Sequence, residues 1–313
     1  SPRRWALRRR RSAPPPWRCG APRGPLRQPT NRKAAMFADT AALARECAQQ
    51  GRGLAAFNVV LLDHAEAFVQ AAENTGLPLV LQLSQNAVKY HGGRLRPLGR
   101  ALLELAEASS AQVSVHLDHA EDTNLCREAI ELGFTSIMYD GSKLPDAQNR
   151  ETTAEITAFA HEHGVSVEAE LGEVGGKNGV HDPSARTDPH DAAQFVADTG
   201  VDLLAVAVGS SHAMATREAV LDNDLISAIH QAVPVPLVLH GSSGVPDEGM
   251  VQAIRSGMTK INVSTHLNVV FTAGVREILN ENPSLVDPRK YVGPATRLVQ
   301  EEVERLMRLY AQV

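Results

Sequence analysis

Three histidines stand at or just beyond the ends of short apolar runs: His119 after Val113–Leu117, His212 after Leu203–Val208 and His240 after Pro236–Leu239. A single histidine in such a place is ordinarily a hydrogen-bonded structural residue. Three imidazoles with an open fourth position are the donor set of a catalytic zinc site. Asp118, beside His119, is the carboxylate that could move a proton on a metal-polarised substrate. His64, His116 and His181 compete for the ligand role. His116 lies three residues from His119, so a regular strand would turn the two to opposite faces, one to ligate and one structural. A second group joins Gly241-Ser242-Ser243-Gly244 to Asn262-Val263-Ser264-Thr265. Small hydroxyls and backbone N–H groups of this kind suit a phosphate. The plainer alternative is a Gly/Ser turn into a helix that Ser264 or Thr265 caps.

Such residues converge only if the elements carrying them do. Leu54–Val59, Leu79–Leu83, Val113–Leu117, Thr135–Tyr139, Val165–Leu171, Leu203–Val208, Pro236–Leu239 and Lys260–Val263 read as strands. Stretches with helical periodicity, such as Leu98–Ala108 and Ala192–Asp198, separate most of them. Near-continuous apolar strands alternating with helices indicate a parallel sheet covered on both faces. Eight such units predict an α/β fold, a single-domain (β/α)8 TIM barrel. No GxGxxG follows the first strand, which weakens a dinucleotide-binding alternative. In a barrel the C-terminal strand ends meet at one mouth. In chain order those ends are Asn58, Ser84, Asp118 with His119, Asp140, Glu170, His212, His240 with Gly241, and Asn262. Loops after strands seven and eight commonly build the phosphate site. Gly172–Pro189, with four glycines, has the length of a lid or an insertion.

Of 313 residues, 43% are hydrophobic and 21% charged, which excludes disorder throughout. The longest apolar runs fall well short of the roughly 20 residues that span a bilayer, so no membrane role is expected. Residues 1–35 hold eleven of the 31 Lys+Arg and no acid. They are expected to be a disordered, basic, Pro/Arg-rich extension ahead of a domain at 36–313 that opens at Met36. Beyond that extension 20 basic residues face 36 acidic ones, a net charge of −16, which argues against nucleic-acid binding. Cys19, Cys47 and Cys126 match no metal-ligand spacing and cannot all pair, so a reducing, cytoplasmic setting is expected.

His116-Leu117-Asp118-His119 and Val167-Glu168-Ala169-Glu170-Leu171-Gly172-Glu173-Val174-Gly175-Gly176 resemble the two signature regions of the class II, zinc-dependent ketose-bisphosphate aldolases. Gly209-Ser210-Ser211-His212, Leu239-His240-Gly241-Ser242-Ser243-Gly244, Asn262-Val263-Ser264-Thr265 and Asp287-Pro288-Arg289-Lys290-Tyr291 match later motifs of that family in order. The resemblance runs from about Asp39 to the end. It implies Zn2+ held by His119, His212 and His240, with Glu170 as an auxiliary metal or charge residue. It implies Asp118 as the proton-transfer residue at the C4 hydroxyl. Gly241, Ser243, Asn262 and Thr265 match phosphate and triose contacts, Ser264 lies in the same motif, and Asn58 and Ser84 look like substrate positions. A monovalent cation near the phosphate is a further family feature.

The implied reaction is aldol cleavage or condensation of a phosphorylated ketose, giving dihydroxyacetone phosphate and an aldehyde, within carbohydrate metabolism and glycolysis. A metal that takes up the charge developing at C2 makes a lysine Schiff base unnecessary. Lys260, the only lysine inside a predicted strand, is therefore assigned a structural role. A homodimer or homotetramer is expected. The pattern also departs from the family. Asn178 stands where a proton-exchanging Glu is usual, with His181 and Asp182 nearby as substitutes. Ala213 and Thr216 replace a Gly and a Lys, Ser264 replaces the fructose-type Asp, and Asn268 replaces an Arg. These departures predict that fructose 1,6-bisphosphate is a poorer substrate than tagatose 1,6-bisphosphate or a ketose 1-phosphate. Arg217 or Arg289 would supply the missing charge. The competing expectation is a sugar-phosphate-binding barrel that no longer turns over.

Overall fold

The computed structural model describes residues 38–171, 186–210 and 217–311. Eight parallel strands close into a barrel in chain order: β1 (Leu54–Asn58), β2 (Leu79–Ser84), β3 (Val113–Ala120), β4 (Ser136–Tyr139), β5 (Ser166–Glu170), β6 (Leu203–Ala205), β7 (Leu237–Leu239) and β8 (Met258–Val263). The described helices before and between the strands are α1 (Thr40–Gln49), α2 (Leu62–Thr75), α3 (Gln85–Tyr90), α4 (Leu95–Ala108), α5 (Thr123–Leu132), α6 (Asp146–Glu162), α7 (Pro189–Thr199), α8 (Asn223–Ala232) and α9 (Asp247–Arg255). After β8 come α10 (Thr265–Glu281) and α11 (Arg289–Ala311). This is the (β/α)8 TIM barrel expected from the alternation, with β6 and β7 shorter than their apolar runs. None of the described helices is long and apolar enough to cross a membrane.

Period-two alternation divides each strand between two cores. Ala55 and Phe57 of β1 pack outward against the helices, where Phe57 meets Phe68 of α2 at 5.4 Å between ring centroids. Leu54 and Ala56 face inward with Val80, Leu203, Ala205 and Val238, against Ala41, Leu43, Ala44 and Cys47 of α1. Helix α1 thereby plugs the end of the barrel where the strands begin. Asp39 fixes its start by accepting the Ala42 N–H at 2.9 Å. Moving up each strand by two residues replaces apolar inward positions with polar ones: Asn58 after Ala56, Gln82 and Ser84 after Val80, His240 after Val238. The barrel is dry at its base and polar toward its mouth.

Strand β3 breaks this rhythm. Its register against β4 shifts between Leu117 and Ala120, and His119 has φ 47°, the one positive-φ residue other than glycine among the described residues. A β-branched or bulky side chain at such a φ is uncommon and marks a site held by its surroundings. The irregularity overturns the expected parity of His116 and His119. His116 is buried inside the barrel, its Nε2 3.6 Å from Glu168, and His119 is turned back onto the same side. His116 is thus structural as expected, but it shares the interior face with His119.

Candidate functional site

A cavity of about 430 Å3 opens at the mouth, lined among others by Asn58, Ser84, Asp118, His119, Gly241, Ser243, Asn262, Ser264 and Thr265. Nine of the residues singled out from sequence therefore face one space. Glu170 and His240 lie deeper, at its floor, and His212 lies outside the described residues.

The floor is a knot of imidazoles and carboxylates. The rings of His119 and His240 meet edge to face at 4.6 Å. Donor atoms of Asp118, His119 and His240 lie within 4.8 Å of one another, and so do those of His119, Asp140 and Glu170. Each imidazole has one nitrogen held by a carboxylate: His119 Nδ1 by Asp140 Oδ2 at 2.8 Å, His240 Nε2 by Glu168 Oε1 at 2.9 Å. That fixes the tautomer and makes His119 Nε2 and His240 Nδ1 the nitrogens that would ligate a metal. Asp140 is braced in turn by Ser142, whose hydroxyl donates to Oδ1 at 2.6 Å.

The electrostatics of this knot favour a cation. Burial alone would lower the pKa of His119, but Asp118, hydrogen-bonded Asp140 and Glu170 outweigh it and raise it to about 10. Burial pushes the Glu170 carboxyl up to about 8, and the negative charge of Asp140 adds to the effect. Burial also drives His240 well below its usual value, assisted by the charge on His119. Among the described residues, Asp118 Oδ1 and Glu170 Oε2 are buried carboxylate oxygens with no hydrogen-bond donor. Orphaned carboxylate oxygens beside carboxylate-backed imidazoles fit a divalent cation, by the chemistry of the donor set.

A buried lysine sits beneath both halves of the site. Lys260 Nζ donates to Gln82 Oε1 at 2.5 Å, Glu168 Oε2 at 2.7 Å and Asn262 Oδ1 at 2.9 Å. All three ammonium donors are met, which makes complete burial of the charge tolerable. From Gln82 the chain continues to Asn58 Oδ1 at 3.2 Å, and Asn58 Nδ2 donates to Asp118 Oδ2 at 2.7 Å. From Glu168 it continues to His240. Lys260 is structural, as expected, and it ties the orientation of Asp118 to that of His240.

The phosphate-type loops keep their donors toward the cavity. Gly241 has φ 67°, a turn that glycine takes without strain, and Ser242–Gly244 forms a short 3-10 turn. Ser242 anchors this turn by donating to the Asn262 carbonyl. Ser264 occupies the N-cap position of α10 yet makes no side-chain capping bond. Ser243 Oγ accepts the His266 N–H instead, at 3.1 Å. The capping alternative for Ser264 and Thr265 therefore does not account for their hydroxyls.

Two charge assignments need correction. Arg217 does not line the cavity: it donates to the Val245 carbonyl and to Asp247 Oδ1 at 2.6 Å. Arg289 is exposed and paired with Asp287 at 2.8 Å. Asn268 is not among the residues that line the cavity. Asn178, His181, Asp182, Ala213, Thr216 and most of the expected lid lie outside the described residues. Gln82 escaped the sequence reading, Glu168 entered it only as part of a family motif, and Asp140 was noted only as a strand end. Glu168 carries a usable signal, since Glu168 and Glu170 are two apart in a strand and share a face. Lys89, Lys143 and Glu121 also line the mouth, and no spacing rule points to them.

A profile described as "Fructose-bisphosphate aldolase class-II" matches residues 38–313. The chain is 38% identical over 296 residues to a fructose-bisphosphate aldolase of Thermus caldophilus, covering 86% of this chain and 96% of that one. It is 36% identical over 263 residues to a fructose-bisphosphate aldolase of Staphylococcus epidermidis, covering 83% and 92%. Among solved structures, the YdjI aldolase of Escherichia coli K12 superposes with a TM-score of 0.77 at 28% identity, covering 88% of this chain and 97% of that one.

Proposed function

The chain belongs to the class II fructose-bisphosphate aldolases, a family that is zinc-dependent in general and acts on phosphorylated sugars, and we propose that Asp118 is its proton-transfer residue at the barrel mouth. As an aldehyde-lyase it performs aldol cleavage of a phosphorylated ketose to dihydroxyacetone phosphate and an aldehyde. The observation that carries the residue assignment is the Asn58–Asp118 bond of 2.7 Å. It aims the carboxylate into the cavity that the phosphate-type loops also line.

In this reading His119, His212 and His240 hold Zn2+, with Glu170 as the auxiliary carboxylate. When bound, the metal supplies Lewis-acid stabilisation of the negative charge that develops on the substrate oxygens. The chain does the rest. Gly241, Ser243 and Thr265 hold the triose phosphate, and Asn262, Ser264 and Ser84 contact the sugar. Asp118 Oδ1, which accepts no bond from the described residues, takes the proton from the C4 hydroxyl as the C3–C4 bond breaks. Asn58 borders the sugar while steadying Asp118. A monovalent cation beside the phosphate belongs to the same reading.

Residues 1–35 are an extension outside the catalytic domain at 36–313. The working unit is a homodimer or homotetramer, supported by α10, where only Leu267 and Gly274 are buried and Val269 is 52% exposed. Free, buried Cys47 and Cys126 support a cytoplasmic setting, and the acidic body supports the absence of nucleic-acid or membrane partners. The test is release of dihydroxyacetone phosphate from ketose bisphosphates before chelation, after exhaustive chelation and after zinc is restored. Activity lost and regained is expected. Full activity in metal-free protein would overturn the metal role, and no cleavage with zinc restored would favour the sugar-phosphate-binding alternative.

A further inference from the structure

The backbone of His119 is left-handed, with φ 47°. That conformation is unfavourable for a residue with a Cβ and persists only where its neighbours impose it. From His119 the chain has one more strand residue, Ala120, then two turn residues, Glu121 and Asp122, before α5 begins at Thr123. The strand side is anchored: Asp140 Oδ2 holds the His119 ring at 2.8 Å, and the Asp140 N–H donates to the Ala120 carbonyl at 2.8 Å. The helix side is anchored too, because Asp122 caps α5 by accepting the Asn124 N–H at 2.8 Å.

Between these anchors lie the backbone N–H groups of Glu121 and Asp122, and both go to one atom. Gln85 Oε1 accepts from each at 3.1 Å. Because both partners are donors, only the carbonyl oxygen of this amide can face them, which fixes its orientation. Gln85 is the first residue of α3, directly after Ser84, which caps that helix by accepting the Ala87 N–H at 3.1 Å. Ser84 is in turn the register partner of Asp118. The clamp therefore runs from a helix start fixed beside Asp118 to the turn just beyond His119. Gln85 is buried and borders the cavity. Without its oxygen two part-buried N–H groups lose their acceptor, and the turn is free to relax the backbone at His119.

We propose that Gln85 is a positioning residue of the aldolase reaction: its oxygen clamps the turn between β3 and α5, which keeps His119 turned toward the metal position and Asp118 toward the C4 hydroxyl. The assignment rests on the aldolase reading above. In this role Gln85 acts through the backbone and moves no proton itself. Its acceptor atom is what matters, so a side chain of similar length with a poor acceptor fails and one with a carboxylate oxygen serves.

The experiment compares full-length wild type, Gln85→Met and Gln85→Glu, well below their melting temperatures. It measures kcat and KM for dihydroxyacetone phosphate release at full zinc occupancy, and separately the half-life of bound zinc against a chelator. Gln85→Met should lower kcat about 10- to 100-fold and shorten the zinc half-life by a similar factor, the scale for residues that orient a metal ligand. Gln85→Glu keeps an acceptor oxygen on the same stem and should return most of both, its added charge at the mouth showing in KM. An unchanged kcat, an unchanged zinc half-life, a fall in melting temperature alone, or losses that Gln85→Glu leaves unrestored would overturn the role of Gln85 with the aldolase reading intact. A wild type that releases no dihydroxyacetone phosphate from any ketose bisphosphate would overturn that reading instead, and the zinc half-lives would still decide for or against the clamp.

Discussion

Asp118 is steadied through one amide, and Asn58 sits between it and the buried Lys260 through Gln82. Asn58→Ala removes the donor at 2.7 Å and leaves the carboxylate to find other orientations. The expected loss in kcat is about 10- to 100-fold, the cost of misplacing a reacting group by around 1 Å, with metal content unchanged. Equal kcat in Asn58→Ala and wild type, measured at saturating substrate, would show that Asp118 needs no such support. At this scale the sequence announced Asp118, His119, His240 and the hydroxyls of the last two loops, because chemistry restricts residue type and strand ends restrict position. It was silent on the connections. Nothing local says that Lys260, 178 residues from Gln82, closes a polar chain that joins Asp118 to His240. Glu168 was hidden differently, in plain view beside Glu170, with a role visible only once His240 lies 2.9 Å away.

Among the elements, β3 shows where alternation stops being a guide. Parity counted from His116 placed His119 on the other face, and a left-handed backbone at His119, φ 47°, reversed that. The carboxylate of Asp140 that receives its ring comes from β4's end, outside any window a period could be read from. Helix positions were legible by contrast, since Leu98–Ala108 and Ala192–Asp198 fall inside α4 and α7. The last helices contribute a testable link. Glu302 of α11 accepts from His266 of α10 at 2.7 Å and from Arg305 at 2.8 Å. Burial alone would raise the Glu302 carboxyl, but the hydrogen bonds from Arg305 and His266 prevail and bring it from 4.5 to about 2. A carboxyl depressed by folding adds stability above its unfolded pKa and loses it as pH falls through the folded one. Glu302→Gln should therefore be less stable than wild type near pH 6, by about 1 kcal/mol or less for a half-exposed pair. The gap should close between pH 4.5 and 2. Denaturant melts at pH 6, 4 and 2.5 measure it, and a gap that widens on acidification would contradict the link.

Over the whole molecule, eight apolar runs and the helices between them sufficed to predict a closed parallel barrel, because few other folds bury so many strands on both faces. The plug formed by α1 was not legible, since a short amphipathic helix before the first strand has many possible docking sites. The substrate expectation drew on Arg217, Arg289 and Asn268 by residue type alone, and none of the three is among the residues that line the cavity. The fold brings Asp118 and His240 from β3 and the end of β7 to one floor, and the proposed roles are proton transfer for Asp118 and metal binding for His240. The measurement that separates these roles is zinc content together with the rate of dihydroxyacetone phosphate release, on the same preparations of wild type, His240→Ala and Asp118→Asn. His240→Ala should lose zinc and turnover together. Asp118→Asn should keep its zinc and lose roughly 10²- to 10⁴-fold in rate, the usual contribution of a positioned acid or base. An Asp118→Asn protein that cleaves ketose at the wild-type rate, or a zinc-free His240→Ala protein that does so, would contradict the account.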